Sequence, residues 1–135
     1  MILVETIPMA TNLSKQNIYE KASQFSAHWT PKIIGELNGQ HVKLAKLFGE
    51  FGWHSHQDED ELFLVLKGQV IIQLRNNQNG DIVLNEGDMF IIPRGVEHNP
   101  KADNGECTVL LFEPASTINT GDQRNDKTKL ELERI

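Results

Sequence analysis

The chain has 135 residues, with thirteen Lys and Arg against nineteen Asp and Glu and a formal net charge of -6, which points to one compact domain and argues against a two-domain enzyme. Apolar residues make up 39% and ten glycines accompany them, a composition that supports a packed core rather than disorder. A pI near 5.3 without any Lys or Arg cluster offers nothing to phosphate backbones or anionic lipid, so nucleic acid and membrane surfaces are not expected partners.

The apolar start at residues 1–4 is interrupted by Glu5, and no basic residue precedes Lys15. With no apolar run near the roughly 20 residues of a membrane span, a cytoplasmic protein without a signal peptide is expected. Ile18, Ala22 and Phe25 fall at helical offsets, which predicts a short helix over residues 14–25. From Lys32 the sequence changes to short runs of Val, Ile, Leu and Phe separated by turn residues, the pattern of an antiparallel sandwich or barrel.

Asn38-Gly39 lies between the runs 33–37 and 42–48 and predicts a hairpin, because both central positions of a type I′ turn need positive φ. Further strands are predicted at 61–66, 70–74, 82–84, 89–92 and 108–112, with breaks at Lys67-Gly68, 76–80, 85–88 and 93–95. Cys107 cannot close an intramolecular disulfide and reads as a small apolar strand residue. The chain therefore divides into an N-terminal segment with a short helix (1–31), a barrel (32–114) and a polar C-terminal extension (115–135), read as a surface strap or a tail.

Three of the five histidines sit where strands meet turns. His54 and His56 are two apart, so on an extended chain they leave on one face. If 57–60 is a four-residue hairpin loop, His56 lies opposite Glu61, and two imidazoles and a carboxylate converge. Glu61, Phe63 and Val65 then share that face, while Leu62, Leu64 and Leu66 point the other way. The Pro93 and Gly95 bend is expected to aim His98 back at the sheet the chain has just left. Three neutral imidazoles and a carboxylate suit Fe, Mn, Ni, Cu or Zn and leave positions open on a six-coordinate ion.

HSHQDEDE, with Gly68 seven residues beyond Glu61, resembles the first motif of the cupins, H-x-H-x4-E-x6-G. Gly87-x5-Pro93-x-Gly95-x2-His98 resembles the second, after eighteen intervening residues. The resemblance covers about half of the chain, and EPASTINTG at 113–121 is similar to the end of small bacterial cupins labelled mannose-6-phosphate-isomerase-like. Phe48 and Ala102 depart from the longer patterns without removing a ligand. The resemblance implies an all-β double-stranded β-helix, or jelly roll, in which His54, His56, Glu61 and His98 hold one divalent transition-metal ion.

It further implies a metal-dependent enzyme of isomerase or dioxygenase type acting on a small polar metabolite or sugar. The alternative is a non-catalytic binding or sensor module. Small members of the family are commonly homodimers, and Ile2, Leu3 and Val4 before Pro8 are suited to extend a neighbour's sheet edge. Asp58, Glu59 and Asp60 read as a solvated loop tip, Arg94 and Glu97 as surface ion-pair members, and Phe51 and Trp53 as rim packing. Lys46, Arg75 and Arg94 are acid or base candidates by location only, and His28 and His41 receive no function. Metal retention is expected to weaken below about pH 6, since imidazole titrates near 6.5.

Overall fold

The structure is a computed structural model that describes residues 13–135, so the edge strand expected at residues 2–4 lies outside the described residues. Among the described residues seven strands and one short helix follow in chain order: α1 (Ile18–Ala22), β1 (Lys32–Leu37), β2 (Gln40–Glu50), β3 (Glu61–Lys67), β4 (Val70–Leu74), β5 (Ile82–Leu84), β6 (Met89–Ile92) and β7 (His98–Pro114). All pairings between the strands are antiparallel. Among the described residues no helix is long and apolar enough to cross a membrane.

The helix is shorter than its apolar spacing predicts. Asn17 caps it by accepting the N–H groups of Tyr19 and Glu20, and the Ser23 hydroxyl bonds back to the Glu20 carbonyl at the other end. Ile18 and Phe25 still pack where the spacing placed them, against Ala22, Ile34 and Leu44 on the outside of the sheet. The β1–β2 hairpin turns at Asn38 and Gly39 with φ of 50° and 78°, the conformation a type I′ turn demands.

Strand β7 organises the barrel. Its C-terminal half lies between β2 and β3, and β3 in turn pairs with β6. Its N-terminal half pairs with the end of β2 on one side and with β4 on the other, and β4 carries β5. Between the halves the register jumps from Leu47↔Cys107 to Gly49↔Ala102, leaving Asp103, Asn104, Gly105 and Glu106 as a wide bulge that bends the strand. The sequence predicted only the second half, because Asn99, Pro100 and the polar bulge hide the first.

The two wings fold over a core of Phe63, Val65, Val70, Ile72, Cys107 and Val109. Burial pushes the Cys107 thiol up to about 12, so it packs as a neutral apolar group. Ile72 is fully buried, so Ile72→Ala is expected to cost about 2–5 kcal/mol in denaturant unfolding. A cost below about 0.5 kcal/mol would show that the wings are not closed on each other.

The C-terminal extension is a strap. Glu133 accepts the Ile33 N–H at 2.9 Å, the Ile135 N–H returns to the Ile33 carbonyl at 3.1 Å, and Thr120 is buried with its hydroxyl against Thr128 at 2.7 Å.

Candidate metal centre

Three pieces of backbone bring the site together. His54 and His98 exchange both backbone hydrogen bonds, at 3.0 and 2.9 Å, in an isolated antiparallel bridge. The His56 carbonyl accepts the Gly95 N–H at 2.7 Å, tying the second histidine to the bend before His98. Glu61 opens β3 and pairs with Ile92 on β6.

The expected convergence is present, but its cause differs from the hairpin reading. Residues 57–60 do not form a hairpin loop placing His56 opposite Glu61. The bend does bring the His98 side chain back to the β3–β6 pair just left, with its Nε2 3.5 Å from Glu61 Oε1, while its backbone pairs with Leu74 of β4 and with His54. The chain crosses between the wings at residues 51–60 and again at 93–97, and the four side chains meet where these crossings lie side by side.

The ring centroids of His54 lie 5.0 Å from His56 and 4.3 Å from His98. One ring nitrogen from each of the three histidines lies within 4.8 Å of the others. Glu61 stands beside them, with Oε1 3.5 Å from His98 Nε2 and Oε2 3.9 Å from His56 Nε2.

The Nδ1 atoms of His54 and His98 face the Gly52 and Val96 carbonyls at 3.0 and 2.9 Å. A carbonyl only accepts, so both Nδ1 atoms carry the proton and both Nε2 lone pairs are free. His98 Nε2, both nitrogens of His56 and Glu61 Oε1 are buried without a hydrogen-bond partner. Each such group costs about 1–3 kcal/mol when left unsatisfied. A lone pair facing a carboxylate is also repulsive. A cation among these atoms would satisfy His98 Nε2, Glu61 Oε1 and one nitrogen of His56, and two ligand atoms each ~2.1 Å from one ion stand ~3–3.5 Å apart, against 3.5 Å from Glu61 to His98 and 3.9 Å from Glu61 to His56. The donor set therefore fits a divalent ion.

Protonation agrees. Burial lowers His54 to about 4, with the neighbouring His98 adding to the effect, and lowers His56 to about 3, with His54 and His98 adding to it. Burial lowers His98 as well. All three are neutral at pH 7, which is the ligating form.

Sequence reasoning missed the charged pair beside this cluster. Lys43 on β2 and Glu113 on β7 form an ion pair of 3.0 Å with both side chains buried. The Glu113 and Glu61 carboxyls are hydrogen-bond neighbours, and burial raises both, Glu113 further because of the Glu61 charge. Register held the signal. Lys43 has the inward parity of Ala45 and Leu47, and Glu113 that of Val109 and Leu111. These groups and His54 line an interior cavity of about 40 Å³ whose remaining wall includes Trp29, Phe51 and Phe63.

The other named residues lie elsewhere. Arg94 pairs with Asp60 at 3.2 Å and Arg75 with Glu97 at 2.6 Å, all substantially exposed. Arg75 also lies over the Trp53 ring. Lys46 donates to the Phe25 carbonyl, so none of the three cations considered from sequence reaches the cavity. His28 pairs with Glu106 and His41 with Glu36. Phe51 packs between Trp29 and His54.

The strap clamps the ligand segment from outside. Asp122 accepts the Ser55 N–H and donates its own N–H to the Ser55 carbonyl, both at 3.0 Å. Gly121 has φ +55°, and a Cβ there would collide with the Ser55 carbonyl. Gly121→Ala is expected to lift the strap, lowering stability by about 1–3 kcal/mol and weakening metal retention, readable by calorimetry and elemental analysis. An unchanged melting temperature would mean the strap does not brace the site.

A family model described as "Cupin domain" matches residues 40–113. An uncharacterized protein of Bacillus subtilis (strain 168), YdbB, is 34% identical over 87 residues, 64% of this chain and 75% of that protein. The crystal structure of a cupin-2 domain containing protein from Shewanella frigidimarina is 43% identical, with a TM-score of 0.69, and the match covers 73% of this chain and 93% of that one. The 3-hydroxyanthranilate 3,4-dioxygenase of Brucella anthropi is 33% identical over 64 residues, 44% of this chain. The chain spans about a third of that enzyme, 35% of its length.

Proposed function

Since this chain belongs to the cupin domain family, we propose that it is a metal-dependent enzyme that holds one divalent transition-metal ion on His54, His56, Glu61 and His98. Its reaction is of dioxygenase or isomerase type, on a small polar molecule inside the barrel. The observation that carries the reading is the set of buried, unpartnered ligand atoms of His56, Glu61 and His98 gathered at one point. The partial likeness to an enzyme named as a dioxygenase favours that arm. When bound, such an ion polarises a substrate oxygen or binds dioxygen.

The chain's own residues do the rest. The Gly52 and Val96 carbonyls fix the His54 and His98 tautomers, and Trp29, Phe51 and Phe63 give the neighbouring cavity an apolar wall. Substrate profiling in air and under nitrogen tests the reading. Turnover that needs oxygen assigns the dioxygenase arm, and turnover without it the isomerase arm. Ligand-induced thermal shifts with no product under either atmosphere would leave a binding module instead.

We also propose a homodimer. Among the described residues strand β6 pairs on one side only, with β3, and presents Met89 and Ile91 about half exposed, an edge with apolar side chains that a second copy would cover. Light scattering at micromolar concentration is expected to return twice the chain mass. A monomer there would overturn the dimer.

A further inference from the structure

The ladder that carries His54 contains one residue too many. At the end of β2, Glu50 pairs with Lys101 and the Phe51 N–H reaches the Pro100 carbonyl at 3.1 Å, a register that sets Trp53 opposite His98 if it continues. His98 instead faces His54. Gly52 and Trp53 lie between Phe51 and His54, whereas Asn99 alone lies between Pro100 and His98, which makes a one-residue β-bulge. A slip of one residue turns every following side chain to the other face. Phe51 and His54 are three apart and yet both line the interior cavity, which a strict period of two forbids and the bulge permits.

The Asn99 side chain fills the gap in the ladder. It is fully buried, its Oδ1 accepts the Gly52 N–H at 2.7 Å, and its Nδ2 donates to Glu50 Oε1 and Gln73 Oε1, each at 2.8 Å. Two acceptors on the amide nitrogen keep the amide oxygen turned to Gly52. Gly52 has a φ of 122°, which glycine alone adopts freely, and its carbonyl meets His54 Nδ1 at 3.0 Å. Resting on the metal-centre reading, we propose that Asn99 is a positioning residue that holds this bulge and, through Gly52, fixes the direction and tautomer of the His54 ring. Glu50 and Gln73 act by orienting Asn99. His98 takes its tautomer from the Val96 carbonyl instead.

The test reads the imidazole nitrogens of the full-length protein by proton–nitrogen correlation NMR, metal-free and loaded with zinc. In the parent, His54 and His98 are both expected in the Nδ1-protonated form. Asn99→Leu is expected to leave His54 exchanging between its two tautomers while His98 keeps one, and to weaken zinc binding about 10–100-fold. Asn99→Asp keeps an acceptor for Gly52 but sets it against the Glu50 carboxylate. Asn99→Asp/Glu50→Gln returns a donor at that contact and is expected to regain the single His54 tautomer and most of the affinity. Gln73→Leu takes one partner from Asn99 and leaves the Gly52 bond, so it is expected to lower the melting temperature without changing either ring.

An Asn99→Leu protein with the parent's His54 signature, or a Gln73→Leu protein that loses it equally, overturns the positioning role. If Asn99→Leu does not fold, hydrogen exchange in the parent decides. A Gly52 amide protected like that of Phe51 is expected, and one exchanging as fast as an exposed loop amide overturns the clamp. A parent that takes up no zinc overturns the metal centre, while the metal-free tautomer comparison still decides the role of Asn99.

Discussion

Replacing His56 and His98 together with alanine is expected to take bound metal from about one ion per chain to background. The measurement is elemental analysis of untagged protein prepared without chelator or nickel resin. The expected effect is large because each imidazole offers a lone pair that has no other partner. Removing two leaves His54 and Glu61, too few ligands to compete with water for a first-row ion. His41→Ala removes an imidazole that faces Glu36 instead, and is expected to leave the metal in place. Equal metal in the parent and the double variant would place the ion elsewhere.

The second large effect is the pH dependence of the metal-free protein. His54 has a folded-state value of about 4 and His56 of about 3, against 6.5 when exposed. Above 6.5 both states are neutral and the histidines contribute nothing to the balance. As pH falls below 6.5 the unfolded chain takes up protons that the folded chain refuses, so stability declines until the folded form also protonates near 4 and then 3. The loss is on the order of a few kcal/mol.

Glu61 and Glu113 act in the opposite sense. Their raised values leave them protonated in the fold after the unfolded chain has ionised at 4.5, which lowers stability as pH rises. The metal-free melting temperature is therefore expected to peak between pH 4.5 and 6.5, and a curve rising steadily to pH 8 would contradict this account. Metal retention moves too. Release expected below about 6 from exposed imidazole shifts toward 4, so an affinity flat from pH 5 to 8 is what buried histidine ligands produce.

The strands were legible because half-buried strands alternate and the turns between them carry Gly, Asn and Pro. Glu61, Phe63 and Val65 are buried while Leu62, Leu64 and Leu66 are only partly covered, as period two requires. The four proposed ligands were legible as a set from spacing and residue type. Their assembly was not, because the bridge between His54 and His98 joins segments 44 positions apart and has no local signature. Lys43 escaped notice because a single charge between Val42 and Leu44 looks like a solvated pleat position. Only the parity of its buried neighbours, set by pairing with a strand about 70 residues away, shows that it points inward.

The bent strand β7 also constrains how the protein is made. Gln40 of β2 pairs with Pro114, and Glu50 with Lys101, so β2 waits for residues 51 to 74 positions downstream before its inner hydrogen bonds can form. At ~5–20 residues per second the ribosome leaves β1 and β2 as an unfinished hairpin for several seconds, with Leu44, Ala45 and Leu47 unburied. Folding is then late and governed by long loop closures. Cells that make this chain quickly are expected to lose more of it to aggregation than cells that make it slowly.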